Sequence, residues 1–314
     1  MKIVFFGSSN FAIVALSALI SKGQEVACVV TQPDRKAGRH LKVSPVPVKL
    51  FCEKHNFSLF QPEALASQET RDYLKKINAD LFVVVSYGKI IPKRIIELPK
   101  IFSLNVHASL LPKYRGASPI NRAIMNAEKE TGISIIKMNE FMDRGEIILQ
   151  KAVKISHSDD AQTLADSLAK LAADAIIEAI GLIENKKYTL KKQNEEEATL
   201  ASKLIKEDGL IDWSKNSKDI LNQIRGLIPW PGAYTYFGAK LLKVWKAIYL
   251  DFKNDKISSL LKPGEVSDIT NEGISVCCKD GTLLIQEIQL ASSKRMQAYI
   301  FALGHKIKSG DVLG

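Results

Sequence analysis

The feature that most constrains the fold is an alternation of short apolar strand-like runs with helix-like stretches over the first part of the chain. Lys2 to Phe6, Val26 to Thr31 and Leu81 to Ser86 are apolar runs of strand length. Between them, Phe11 to Ser21, Pro45 to His55 and Gln68 to Ile77 carry apolar residues at helical spacing, the second entered through Ser44 and Pro45. Strands that alternate with helices predict a parallel sheet covered on both faces, with ligands bound outside the carboxyl ends of the strands. The first turn, Gly7-Ser8-Ser9-Asn10-Phe11, lacks the G-x-G-x-x-G cradle for a pyrophosphate, so a nicotinamide cofactor is not expected.

Further strands are expected over Thr131 to Met138 and Ile147 to Ile155, and a long helix over Asp160 to Glu184 capped by Ser158 or Asp159. After Asn185 the composition turns polar through Asn194-Glu195-Glu196-Glu197, as in a domain connector. The expected division is 1–188, a connector over 189–205, and a second domain over 206–314. That second domain offers one helix, Ser217 to Arg225, then short strands at Ala233 to Phe237, Leu241 to Ile248, Gly273 to Cys278 and Thr282 to Gln289, a pattern that fits a small β-barrel of the oligonucleotide-binding (OB-like) type.

A candidate reaction centre lies where an apolar run ends in Asn105-Val106-His107. A period of two on a strand puts both polar side chains on one face. A carboxamide that polarises a carbonyl beside an imidazole that moves protons near neutral pH suits acyl transfer, and Asp143, in Phe141-Met142-Asp143-Arg144-Gly145, offers a carboxylate to hold developing charge. Taken singly, each is ordinary: a hydrogen-bonded structural histidine, a turn asparagine, a capping aspartate. Leu110-Leu111-Pro112 should form a loop whose free backbone groups receive a ligand.

Composition narrows the classes. A net charge of +10 and a pI near 9.2 fit a polyanionic partner without requiring one. The four cysteines, Cys28, Cys52, Cys277 and Cys278, show no C-x-x-C spacing and no clustered histidine, so neither a metal site nor a disulfide framework is expected. No apolar run has the length of a membrane span or a signal peptide, and a cytoplasmic enzyme is the default.

The run Asn105 to Asn121 resembles the motif of the methionyl-tRNA formyltransferases, a folate-dependent family. Thr31-Gln32-Pro33-Asp34-Arg35-Lys36-Ala37-Gly38-Arg39, Val84 to Gly88, Asp212-Trp213, Pro229-Trp230-Pro231-Gly232 and Val244-Trp245 match its landmarks in order and spacing. The resemblance implies a Rossmann-like formyltransferase domain followed by a barrel-like C-terminal domain. It implies transfer of the formyl group of 10-formyltetrahydrofolate to methionine on initiator methionyl-tRNA, for translation initiation, by a monomer that needs no metal.

By resemblance Asn105, His107 and Asp143 are the catalytic trio, and Ser109, Leu110, Leu111 and Pro112, with Tyr87 and Gly88, bind the folate donor. Arg39, with Arg35, Lys36 and Lys42, faces the tRNA, and the C-terminal Lys240, Lys243, Lys246, Lys294 and Arg295 are further candidates. The three tryptophans, Trp213, Trp230 and Trp245, read as packing anchors. Asp143-Arg144-Gly145 departs from the usual Asp-Thr-Gly and sets a cation beside the carboxylate. Rival readings are a formyltransferase of amino sugar nucleotides, a folate-dependent hydrolase and a non-catalytic RNA-binding protein.

Overall fold

The N-terminal run forms β1 (Lys2–Gly7), in which Ile3 to Phe6 are wholly buried. The turn after it is closed by Ser9, which caps α1 (Asn10–Ser21) by accepting from the Ala12 amide, and the chain returns as β2 (Glu25–Val30). The computed structural model describes residues 1–37, 42–250 and 262–314 of the chain. A short hairpin of β3 (Arg35–Ala37) and β4 (Lys42–Ser44) precedes α2 (Pro47–His55), β5 (Leu59–Phe60), α3 (Gln68–Ile77) and β6 (Leu81–Val85). Helix α2 starts two residues later than expected, with Pro47 in its first turn behind Val46. A proline holds the residue before it extended, and Pro47 does this to Val46.

Next come α4 (Lys93–Ile96), β7 (Phe102–His107), β8 (Arg115–Gly116), α5 (Pro119–Met125), β9 (Glu130–Lys137), β10 (Glu146–Lys154), α6 (Ala161–Glu184) and β11 (Leu200–Ala201). The start of α6 is capped by Asp160, which accepts from the amides of Gln162 (2.8 Å) and Thr163 (2.9 Å), rather than by Ser158 or Asp159. Asp159 accepts instead from the Ser156 amide at 2.7 Å.

Two units result, one of residues 1–119, 130–154 and 165–202, the other of residues 120–129, 155–164 and 203–314. The first is built on a seven-stranded sheet in the order β10-β9-β7-β6-β1-β2-β5. The five strands from β7 to β5 are parallel, as expected, but β9 lies antiparallel on β7, and β10 on β9. For β10 on β9 the reason is connection length: loop 138–145 suffices for a hairpin and is too short for a parallel crossover. From β1 the chain moves outward to β2 and β5 and then returns to β6 on the other side of β1, opening a crevice at the carboxyl ends of β1 and β6. Beneath it Phe6 packs on Phe82 (centroids 5.3 Å apart) and edge-on against Tyr87 (5.6 Å).

The second unit holds α7 (Ser217–Gly226), β12 (Ala233–Phe237), β13 (Lys240–Leu250), β14 (Val266–Thr270), β15 (Gly273–Cys278), β16 (Gly281–Leu290), β17 (Met296–Gln297) and α8 (Ala298–His305). Its sheet is antiparallel throughout, in the order β12-β13-β16-β15-β14 with β17 added to β16. The β13–β16 register shifts between Val244 and Ala247, and the core gathers Trp213, Ile220, Ile224, Val244, Leu283 and Phe301. Helix α8 has no counterpart in the sequence reading.

The four cysteines are free and buried. Burial raises the Cys28 thiol and pushes Cys52 up to about 11 and Cys278 to about 12. Since only the thiolate attacks, Cys52 holds about one part in a thousand of reactive form at pH 8. Iodoacetamide at pH 8 is therefore expected to leave all four thiols unmodified in the native protein and to alkylate all four in guanidinium, as read by intact mass.

Candidate active site

Asn105 and His107 stand two apart at the end of β7, on the same face of the strand. Asp143 reaches them from loop 138–145, with its backbone at φ +55°, a left-handed conformation that aspartate tolerates better than most residues. The carboxylate joins the set. Asn105 Nδ2 donates to Asp143 Oδ1 at 3.1 Å, and the Gly116 amide donates to Oδ2 at 2.8 Å. His107 Nδ1 lies 3.5 Å from the same Oδ2. The other imidazole nitrogen, Nε2, is 2.9 Å from the Tyr114 carbonyl oxygen. A carbonyl only accepts, so Nε2 carries a proton. Nδ1 is then the nitrogen left to take up a proton, beside the Asp143 carboxylate. Asn105 retains a second N–H on Nδ2 for a further acceptor. This arrangement can hold a negative oxygen at Asn105 and shuttle a proton along the His107–Asp143 pair.

Loop 109–112, expected to offer open backbone groups, is held largely by its own chain. Ser134 Oγ donates to the Ser109 carbonyl (2.7 Å) and accepts from the Leu111 amide (3.0 Å), while Gln150 Nε2 donates to the Leu111 carbonyl (2.9 Å). Ser109 is buried, its hydroxyl donating to the Lys113 carbonyl at 2.6 Å, and Leu110 is half-exposed. Tyr87 turns its ring into the core against Phe6, and burial pushes its hydroxyl up to about 12. What Tyr87 offers the crevice is its backbone: its carbonyl accepts from Ser8 Oγ (3.3 Å) and from the Gln32 amide group. Gly88, at φ +76°, brings the chain so close that a Cβ there would stand 2.7 Å from Gln32 Nε2.

Residues 1–180 match the Formyl transferase family and residues 203–306 its C-terminal domain. The chain is 43% identical over 315 residues to the methionyl-tRNA formyltransferase of Caldanaerobacter subterraneus subsp. tengcongensis, covering all of both chains. It is 40% identical over 314 residues to that of Citrifermentans bemidjiense, covering all of this chain and 96% of the relative. This chain belongs to the methionyl-tRNA formyltransferase family. Its fold is also that of the N-formyltransferase from Helicobacter canadensis solved with folinic acid and dTDP-3-aminofucose. That match has a TM-score of 0.67 at 20% identity and covers 94% of this chain and all of that one.

In this member of the methionyl-tRNA formyltransferase family, Arg144 is half-exposed and lies 3.8 Å from Glu195, with which it pairs. Of the basic residues read as tRNA contacts, Arg39 lies outside the described residues. Arg35, Lys36 and Lys42 belong to the β3–β4 hairpin, whose entry is anchored by Asp34: it accepts from Lys49 (2.6 Å) and Gln61 (3.1 Å), and the Lys49 hydrogen bond lowers its carboxyl. In the second unit, Trp213 is a buried anchor, its indole donating to Thr235 Oγ1 at 3.1 Å, whereas Trp230 is 51% exposed. Trp245 carries two cations, Arg295 at 4.1 Å and Lys243 at 5.2 Å from the ring centre. Lys240, Lys246 and Lys294 are exposed. Among the described residues there is no group of three or more histidine, cysteine or carboxylate side chains able to hold a metal ion.

The sequence reading missed Tyr114 and Gly116 as working parts because their contribution is made by backbone atoms. Gly116 has φ +125°, and a Cβ there would stand 2.6 Å from the Ala201 carbonyl oxygen. Gly116→Ala is expected to cost about 1–3 kcal/mol of stability through backbone strain, read by denaturant unfolding. It should lower kcat more than it raises KM, because the amide that holds Asp143 moves with the strain.

Proposed function

We propose that this chain transfers the formyl group of 10-formyltetrahydrofolate to the α-amino group of methionine on initiator methionyl-tRNA, giving N-formylmethionyl-tRNA for translation initiation, with Asn105, His107 and Asp143 as catalytic residues. The observation that carries the reading is the Asp143 carboxylate shared by Asn105 and His107, in a chain that aligns end to end with methionyl-tRNA formyltransferases. It acts in the cytoplasm as a monomer. Among the described residues no helix is long and apolar enough to cross a membrane.

The methionyl amine, with a pKa of about 8, is partly free base at neutral pH and attacks the formyl carbon. The carbonyl oxygen gains a negative charge, and the remaining Asn105 N–H donates to it. The attacking nitrogen gives up a proton, N10 of the folate accepts one, and the bond from the formyl carbon to N10 breaks. The His107–Asp143 pair carries that proton, with Asp143 holding the imidazolium in place. The loop from Ser109 to Pro112, with Tyr87 and Gly88, receives the folate. Arg39 contacts the acceptor end of the tRNA, and Arg35, Lys36 and Lys42 contact phosphates, a mode whose affinity falls with salt.

An amino sugar nucleotide is the rival acceptor, favoured by the fold it shares with sugar formyltransferases. Two lines oppose it: the identity to methionyl-tRNA formyltransferases and the basic segment from Arg35 to Lys42, which suits a polyanion. Purified protein with 10-formyltetrahydrofolate is expected to formylate methionyl initiator tRNA, with His107→Ala as the control; formylation of an amino sugar nucleotide alone would overturn the reading. Asn105→Ala should lose on the order of 10²-fold in kcat, the scale of one oxyanion donor. Arg39→Ala should raise KM for the tRNA and leave KM for the folate unchanged.

A further inference from the structure

The groups that hold the Asp143 carboxylate leave its backbone and the residues before it without support from the core. The two residues before it, Phe141 and Met142, are 60% and 61% exposed, and its own backbone is left-handed. The support comes from far along the chain. Gln193 Nε2 donates to the Asp143 carbonyl and to the Gly145 carbonyl, each at 2.7 Å. The other end of that amide, Oε1, accepts from Arg115 Nε (3.0 Å) and Nη2 (2.8 Å). The same guanidinium pairs two-pronged with Glu195, Nη1 to Oε2 and Nη2 to Oε1, both at 2.8 Å. Arg115 is 3% exposed, and its pairing holds the Glu195 carboxyl below its usual range. An arginine only donates and a peptide carbonyl only accepts, so the Gln193 amide has one satisfied orientation.

Arg115 also sits between the two backbone groups that orient the reaction centre. The Tyr114 carbonyl faces His107 Nε2, and the Gly116 amide donates to Asp143. Both peptides are tied to the same distant segment: Tyr114 N donates to Thr199 Oγ1 (2.9 Å), Arg115 N to the Thr199 carbonyl (2.9 Å), and Ala117 N to the Ala201 carbonyl (2.9 Å). Leu200 and Ala201 pair with Arg115 and Gly116 as the two-stranded ladder β8–β11.

We infer that residues 193–201 are a positioning strap for formyl transfer: Gln193 sets where the Asp143 loop stands, and the Arg115–Glu195 pair sets Gln193. The inference rests on the reading of Asp143 as catalytic. The strap lies outside both family matches, which end at residue 180 and resume at 203. None of its side chains touches the reacting atoms; they act through Asp143 and His107. Displacing a reacting group by about 1 Å costs on the order of 10²-fold in rate, so the strap matters to kcat although it binds neither substrate.

The test is a double-mutant cycle on the full chain, with formylation kinetics and thermal unfolding measured for Gln193→Ala, Asp143→Asn and the pair. Asparagine tolerates the left-handed backbone of Asp143, so that variant removes charge without moving the loop. Gln193→Ala is expected to lower kcat about 10- to 100-fold, with KM for folate and tRNA within about twofold. In the Asp143→Asn background the same change should cost less than about twofold, because the group it positions is already gone. Full kcat in Gln193→Ala, or an equal loss in both backgrounds, would overturn the strap. Full kcat in Asp143→Asn would instead overturn the catalytic reading beneath it, and the strap with it. Should the alanine variant fail to fold, Gln193→Met keeps the volume and deletes the hydrogen bonds, and the same cycle applies. Glu195→Gln, which keeps one hydrogen bond to Arg115 and loses the charge, should fall between wild type and Gln193→Ala in kcat.

Discussion

The negative charge of Asp143 is the constraint around which the first unit is organised. Its side chain is 9% exposed, and an ionised carboxylate removed from water is costly unless hydrogen bonds and a counter-charge replace the solvent. Here a carboxamide and a backbone amide supply the hydrogen bonds, and the imidazole of His107 is placed to become the cation. Each of these three groups is fixed for its own reason: Asn105 and His107 by the β7 ladder, Gly116 by its pairing with Ala201. The carboxylate thus couples a strand face to a loop that would otherwise have no fixed distance from it.

The mixed character of the sheet follows the same logic. A parallel crossover from β9 to β10 would require a far longer connection, usually a helix, and would remove the short loop that carries Asp143. The antiparallel hairpin of β9 and β10 instead lays that loop beside β7. Ser134 on β9 and Gln150 on β10 then reach across to hold loop 109–112, so the hairpin supports both the carboxylate and the segment assigned to the folate.

Much of this was legible in the sequence where the physics is local. Period two placed Asn105 and His107 on one face, apolar runs placed β1, β2 and β6, and serine and proline signals placed the starts of helices to within a residue or two. Non-local facts were not legible. That β9 pairs antiparallel, that Tyr87 spends its ring on the core, and that Gln193 answers Arg115 across the chain all depend on partners that no short window contains. The residue run Gln193 to Glu197 has the composition of a solvated connector, and composition alone cannot distinguish one from a strap in which Gln193 and Glu195 are engaged by Arg115. Asp143 stood out only as a lone carboxylate that could hold charge, and its place in the trio came from resemblance to a known family, since an aspartate before Arg-Gly carries no catalytic signature of its own.

The left-handed backbone at Asp143 also bears on how such a site drifts over evolutionary time. Most substitutions there are penalised twice, once by the chemistry lost and once by the strain a Cβ-branched or bulky residue incurs at φ +55°. Glycine and asparagine bear the second penalty most lightly, and neither supplies the charge. Chemistry and backbone thus oppose substitution at the same position, whereas the exposed Phe141 and Met142 beside it, outside the left-handed region, carry no backbone constraint of that kind.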